Sequence, residues 1–244
     1  MYSPTLPPDL YLTVLKVRVG IPLIDMPVLC AACGSREIDP FALHSLCCAK
    51  SQSTKGHYAV RDQVLDLTHL ADPSAEVEVT GLFSDAPTLR PADIFTIAAL
   101  PGRSAALDIG ICSPDACTAG LDCCDSMHRK KVEKYAQYVG RVDFEYRPLV
   151  FSCYGRVHPE CQDILKTLAR GAARRRGVRD YGTLLSRAHR NIGVEIWRRL
   201  ALMDYACLPK LSDSEERLLS GGRLERNCGN PYPGSGRLNT LAPD

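Results

Sequence analysis

Hydrophobic and polar positions fall into runs whose spacing changes along the chain. Residues 1–29 are an apolar, β-prone lead-in, and residues 30–57 concentrate cysteine and histidine. From His57 to Leu70 apolar residues at 60, 64, 65 and 67 follow a helical period. From Glu76 to Phe83 the pattern alternates, with Glu76 and Glu78 on one face and Val77 and Val79 on the other, which predicts a strand. Two β-prone runs follow, RPADI around Asp93 and LDIGI around Asp108, with Pro101-Gly102 reading as a turn between them. Residues 126–139 set Val132, Tyr135, Ala136 and Val139 on a helical stripe flanked by Lys131 and Lys134. Phe144–Tyr154 reads as a strand that Pro148 confines to a sheet edge. Helices are predicted over about 159–176 and 181–206. From about residue 210 the Gly/Pro/Ser/Arg-rich chain is predicted to be disordered. This order gives an α/β class with a small mixed sheet flanked by helices. The domain reading is a lead-in (1–29), a Cys/His knuckle (30–57), a core (58–158), a basic helical extension (159–208) and a tail (209–244).

The two aspartates carry the sharpest expectation. With Ala99–Gly102 as the hairpin loop, residue 98 opposes 103 and Asp93 lies across from Asp108. Directly opposed side chains share a sheet face with Cβ atoms roughly 5 Å apart, where like charges repel. One protonated carboxyl, or a divalent cation between the two, relieves that repulsion. A one-residue slip would put the pair on opposite faces.

Composition narrows the class. With 244 residues, 45% of them hydrophobic, the chain can bury a real core. A net charge of +2 says little about partners. Lys16 and Arg18 interrupt the N-terminal apolar run, so neither a signal peptide nor a membrane span is expected there. The 12 cysteines in so long a chain suit thiols or metal ligands in a reduced intracellular protein better than a disulfide scaffold.

Cys30-x2-Cys33-x10-His44-x3-Cys48 has the ligand types and spacing of a structural zinc site, and Gly34 allows the tight turn after the first pair. Cys47 is an alternative fourth ligand and His57 a more distant one. Cys112, Cys117, Cys123, Cys124, Cys153, Cys161, Cys207 and Cys228 have no such spacing and receive no function. Glu78, Asp93 and Asp108, with Lys131 or Lys134 as a cation, have the composition of a phosphodiester-cleaving Mg²⁺ site. Between Lys166 and Arg199 ten Lys/Arg face two acids, a balance suited to nucleic-acid phosphates. Arg170, Arg174, Arg175, Arg176, Arg187 and Arg190 are the candidate contacts, and Arg174–Arg176 also suits a nuclear-localisation patch.

The order Cys-x2-Cys-Gly, Asp39, His44-x3-Cys48, RPADI, LDIGICSP, KVEKY and RPLVFSCYG resembles the restriction-endonuclease-like domain downstream of the reverse transcriptase in certain non-LTR retroelements. That family belongs to the PD-(D/E)XK superfamily, and the resemblance runs from about Leu15, in LKVRVGIPL, to Cys207. It implies a zinc-knuckle-like cluster on Cys30, Cys33, His44 and Cys48. It also implies a Mg²⁺-dependent nuclease core, with Asp93 and Asp108 as the acids of the first and second motifs and Glu78 as an acid from the preceding strand. The implied act is nicking of DNA in the nucleus, where the freed 3′ hydroxyl primes reverse transcription. A reverse transcriptase and its RNA would be partners within a longer polyprotein, and no membrane is involved.

Three departures accompany the resemblance. Gly110 stands where the second motif usually has lysine, so Lys131 or Lys134 on the following helix would serve. Ser152 stands where relatives often have glutamate. No reverse transcriptase is present, so the chain reads as a fragment, a truncated copy or a stand-alone descendant.

Overall fold

A computed structural model describes residues 5–46, 48, 50, 53–115 and 121–209. The expected disordered tail lies outside these residues, as do Cys47, Cys117 and Cys228. In chain order the elements are α1 (Pro8–Arg18), β1 (Val28–Leu29), β2 (Glu37–Ile38), a 3₁₀ turn (Leu43–Leu46), α2 (Ser53–Ala71), β3 (Glu76–Val77), β4 (Ile94–Leu100), β5 (Arg103–Cys112), α3 (Cys123–Val139), β6 (Phe144–Ser152), α4 (Pro159–Arg176) and α5 (Tyr181–Cys207). The main sheet has the order β3-β4-β5-β6. Its first two pairings are antiparallel, and β5 and β6 run parallel. The class is therefore mixed α/β, a small mixed sheet flanked by helices with a Cys/His cluster beside it.

Strand β5 shows how the sequence builds the layers. Ala105, Leu107 and Ile109 enter a core with Val60 and Val64 of α2, Leu165 and Leu168 of α4, and Ile192 and Ile196 of α5. The alternate residues point at α3: Ala106 packs with Tyr135 and Tyr146, and Cys112 with Cys123 and Cys124. Covered on both faces, β5 reads as a nearly continuous apolar run, and Asp108 is its only charged residue between Leu107 and Cys112. Pro148 lies in β6, which is an edge strand as its proline requires.

The helices α4 and α5 match their expected spans closely because both carry amphipathic stripes and capped starts. His158 accepts from the Glu160 amide ahead of α4, and Asp180 from the Gly182 amide ahead of α5. Gly177, with φ of 66°, closes α4 in the left-handed conformation that lacks a Cβ penalty.

Three local expectations need correction. The lead-in is not mainly β: Pro8–Arg18 is a helix. Pro8 sits in its first turn with Asp9, Lys16 and Arg18 sit in its last, and Leu10 and Val14 bury one face against Leu200 and Ala201 of α5. The strand expected over 76–83 stops after Val77 because Glu78 has φ of 53°, outside the β region. The β4–β5 loop is Pro101-Gly102 alone, since Leu100 pairs with Arg103.

That shorter loop nonetheless leads to the expected pairing at Ile94↔Leu107, because a bulge lies between Thr96 and Leu100. The step from Thr96 to Leu100 on β4 is matched by the shorter step from Ala105 to Arg103 on β5, a shift of two positions that leaves the residues before the bulge on their expected faces. Buried Asp72, just past α2, satisfies the displaced groups. Its Oδ2 accepts from Thr96 Oγ1 at 2.6 Å and from the Ile97 amide at 3.0 Å.

Candidate functional site

The Cys/His cluster is assembled by turns. Gly34 (φ 64°) donates its amide to the Cys30 carbonyl at 2.8 Å, which bends Cys30 and Cys33 toward one point. Asp39 accepts from the Phe41 amide at 2.8 Å and the Leu43 amide at 3.1 Å, fixing the 3₁₀ turn that carries His44. Cys30 and Cys48 Sγ lie 3.9 Å apart, and Cys33 Sγ lies 3.4 Å from His44 Nε2. One ligand atom from each of the four residues falls within 4.8 Å of all the others. Tetrahedral bonds of about 2.3 Å to sulfur and 2.0–2.1 Å to nitrogen give edges of about 3.5–3.8 Å. The four side chains can therefore hold an ion, and the donor set is consistent with zinc. Hydrogen bonds from the Ser35 hydroxyl and amide, joined by His44, pull the Cys33 thiol down to about 5. Burial moves Cys48 the other way. Cys207, at the end of α5, packs on the cluster and accepts the Ala31 amide through its carbonyl at 2.7 Å.

The carboxylates sit at the opposite end of β4 from its hairpin. The ladder reaches Ile94↔Leu107, and Asp93, just before β4, donates its amide to the same Leu107 carbonyl at 2.9 Å. Asp93 Oδ2 accepts from the Ile109 amide at 2.6 Å, and its Oδ1 lies 3.0 Å from His57 Nε2. Asp108 Oδ1 accepts from Lys131 Nζ at 2.7 Å, while its Oδ2 accepts from the Tyr146 hydroxyl. Each aspartate side chain is only 15% exposed, so these contacts operate in a poorly solvated setting.

The two environments push the acids apart. Burial raises Asp93, but the His57 hydrogen bond and charge, the Ile109 amide and Lys131 outweigh it and leave the carboxyl below its ordinary range. For Asp108 burial prevails over Lys131 and Tyr146, aided by the charge of Asp93, and the carboxyl lies above its ordinary range. Divergent acidities in adjacent carboxyls are what acid–base division of labour requires.

The two lysines make different contacts. Lys131 pairs with Asp108, whereas Lys134 Nζ lies 4.7 Å from the Tyr135 ring centroid. A hydrogen bond to Tyr135 is the main influence raising Lys134. Gly110 explains how Lys131 reaches the sheet: a Cβ at 110 would stand 2.7 Å from Lys131 Cε. Gly110 thus provides the space through which the helical lysine passes.

Glu78 is placed differently from a free metal ligand. Its carboxylate accepts from Arg61 Nη1 at 2.8 Å and pairs with Arg90 at 3.7 Å, while its amide donates to the Asp93 carbonyl at 3.2 Å. Ser152 is buried and its Oγ accepts the Arg156 amide at 2.9 Å in the turn after β6. It lies four residues beyond Pro148, the partner of Asp108, or about 13 Å along the strand. His57, expected as a distant zinc ligand, is instead the partner of Asp93 and not one of the four grouped ligands, and the residues missed from sequence are Arg61 and Tyr146. The His57-x3-Arg61 spacing on one helical face was the only available signal.

No family model, curated protein or solved structure matches this chain. The site therefore rests on its own geometry.

Arg170, Arg174, Arg175, Arg176, Arg187 and Arg190 are all exposed. Arg170 stacks on Tyr181 at 4.9 Å, and Arg175 Nη1 donates to the His69 carbonyl at 3.4 Å. Arg174 and Arg175 flank a hollow with Leu100 and Gly102 at the hairpin end. That end is about 20 Å along β4 from Asp93. Arg198 and Arg199 both pair with buried Glu195, so they add little to the exposed positive face. Among the described residues, no helix is long and apolar enough to cross a membrane.

Proposed function

We propose that this chain is a retroelement-derived, restriction-endonuclease-like domain that nicks DNA in the nucleus by Mg²⁺-assisted hydrolysis of a phosphodiester. The observation that carries the reading is the Lys131–Asp108 pair, Nζ 2.7 Å from Oδ1, with Asp93 near enough for its charge to act on Asp108 and to feel Lys131. The ordered Cys/His cluster upstream and the basic helices downstream support it.

The oxygen-only donors Asp93 and Asp108 suit magnesium, and each carboxylate oxygen has a lone pair beyond the donor it already accepts. When bound, the ion would lower the pKa of its water and offset charge growing on the phosphate. The protein's own groups do the rest. The Ile109 amide and His57 fix the ionised Asp93 carboxylate. Lys131 positions or deprotonates the attacking water and holds positive charge beside the phosphate oxygens. Glu78 assists by holding Arg61 and Arg90 beside the acids, and the exposed arginines of α4 and α5 contact the DNA backbone.

Purified protein is incubated with supercoiled plasmid and Mg²⁺, alongside Asp108→Ala. Nicking by the wild type and its loss in the variant are expected; absence of nicking in both, or equal nicking, removes the mechanism. A second reading, a catalytically inactive zinc-containing nucleic-acid-binding module, is favoured by Ser152 and by the donors already seated on both carboxylates. It predicts DNA retention with steep salt dependence and no cleavage.

A further inference from the structure

We propose that Cys112, Cys123 and Cys124 form a second metal site, one that takes a divalent thiophilic d10 ion such as zinc and pins the end of β5 to the first turn of α3. Their sulfurs lie within 4.8 Å of one another, and Cys112 and Cys124 Sγ are 3.8 Å apart. A disulfide needs about 2.05 Å. Three thiolates at about 2.3 Å from one ion need S···S edges of about 3.8–4.0 Å. The Cys112–Cys124 separation matches such an edge, and the third sulfur lies within reach of the same centre.

The surroundings define which ion. Cys112 and Cys123 are each 8% exposed and Cys124 is 0%, in a small cluster completed by Val150 and Met127. Soft sulfur donors select thiophilic metals over magnesium or calcium. Three thiolates with a divalent ion leave one net negative charge, and with a monovalent ion two. The positive end of α3 offsets the smaller excess more readily, which favours the divalent ion.

Access exists as well. A cavity of about 350 Å³, bounded by His57, Ile111, Cys112, Ser113, Cys153 and Arg199, reaches Cys112. It gives an entry path and room for water as a fourth ligand. On binding, three S–H bonds break, three sulfur–metal bonds form, and three protons pass to buffer.

The placement has a consequence for the carboxylate site. Cys112 lies on the same β5 face as Asp108 and Gly110, and Cys124 lies about two helical turns before Lys131. An ion held by the three sulfurs fixes the two elements that bring Lys131 to Asp108.

The test uses the whole protein, metal-stripped under reducing conditions and reloaded with Cd²⁺. Bound cadmium is counted, and ¹¹³Cd NMR distinguishes sites with different ligands. The wild type should bind two ions and give two resonances. Cys124→Ala should keep the Cys30/Cys33/His44/Cys48 resonance and lose the other; Cys30→Ala should do the reverse. Cadmium should also increase amide-exchange protection of residues 123–131 in the wild type and not in Cys124→Ala. A single resonance in the wild type, or two that survive Cys124→Ala, overturns the site. Because the wild-type spectrum suffices, misfolding of a variant does not rescue the proposal.

Discussion

Gly110→Ala separates the catalytic role proposed for Lys131 from its structural one. The new Cβ would lie 2.7 Å from Lys131 Cε and 3.4 Å from Met127 Cγ. Comfortable carbon contacts are about 3.5–4.0 Å, so the lysine stem must retreat by about 1 Å. The stem is flexible and can do so cheaply, while alanine reduces unfolded-chain entropy by about 0.4–1 kcal/mol. Weakening a partly buried ion pair costs a comparable amount, so net stability should change by less than about 1 kcal/mol. Catalysis is far more sensitive, since a misplacement of about 1 Å can cost about 100-fold. Urea unfolding and plasmid nicking should therefore diverge: an almost unchanged midpoint beside a rate about 100-fold lower. Nicking at the wild-type rate would refute the role given to Lys131, and a collapse in stability would refute the view that Gly110 merely leaves space.

Asp204 on α5 is buried, hydrogen-bonded by Ser45 through Oδ1, and has no partner at Oδ2; burial pushes it up to about 7. The folded state binds this proton more tightly than the unfolded state, so the contribution is full below about pH 4 and is lost as pH rises to about 7. It amounts to about 4 kcal/mol, and Asp204→Asn should flatten that slope in urea titrations. Asp72→Ala strips the acceptor from the Thr96 hydroxyl and Ile97 amide of the β4 bulge, and should cost about 2–3 kcal/mol by thermal unfolding. Replacing Arg174, Arg175 and Arg176 together with alanine should lower the salt slope of DNA retention by up to about 3 and leave any nicking chemistry at saturation intact. An unchanged slope would place the DNA elsewhere.

What the sequence disclosed follows from what is periodic. Helices α4 and α5 were legible because their apolar faces repeat along the chain, and the Cys/His cluster because its ligands sit close together in sequence. The expected opposition of Asp93 and Asp108 rested on a loop that does not form. The register it implied is met at Ile94↔Leu107 because the bulge shifts the strand by two positions, which no local signal announced. His57–Asp93 and Tyr146–Asp108 span 36 and 38 residues and are created only by tertiary packing. Helix α1 escaped notice because its β-branched residues suggest strand until the α5 surface that buries Leu10 and Val14 is known.

Helix α5 has 27 residues, which makes it about 40 Å long. Its early turns belong to the core under the sheet, and its last residue closes over the Cys/His cluster. It acts as a strut, so the knuckle is not a tethered accessory that can swing on a linker. Anything gripped by the cluster would meet the carboxylates at one set spacing, and the proposed nuclease would measure its cut from its grip with a rigid ruler.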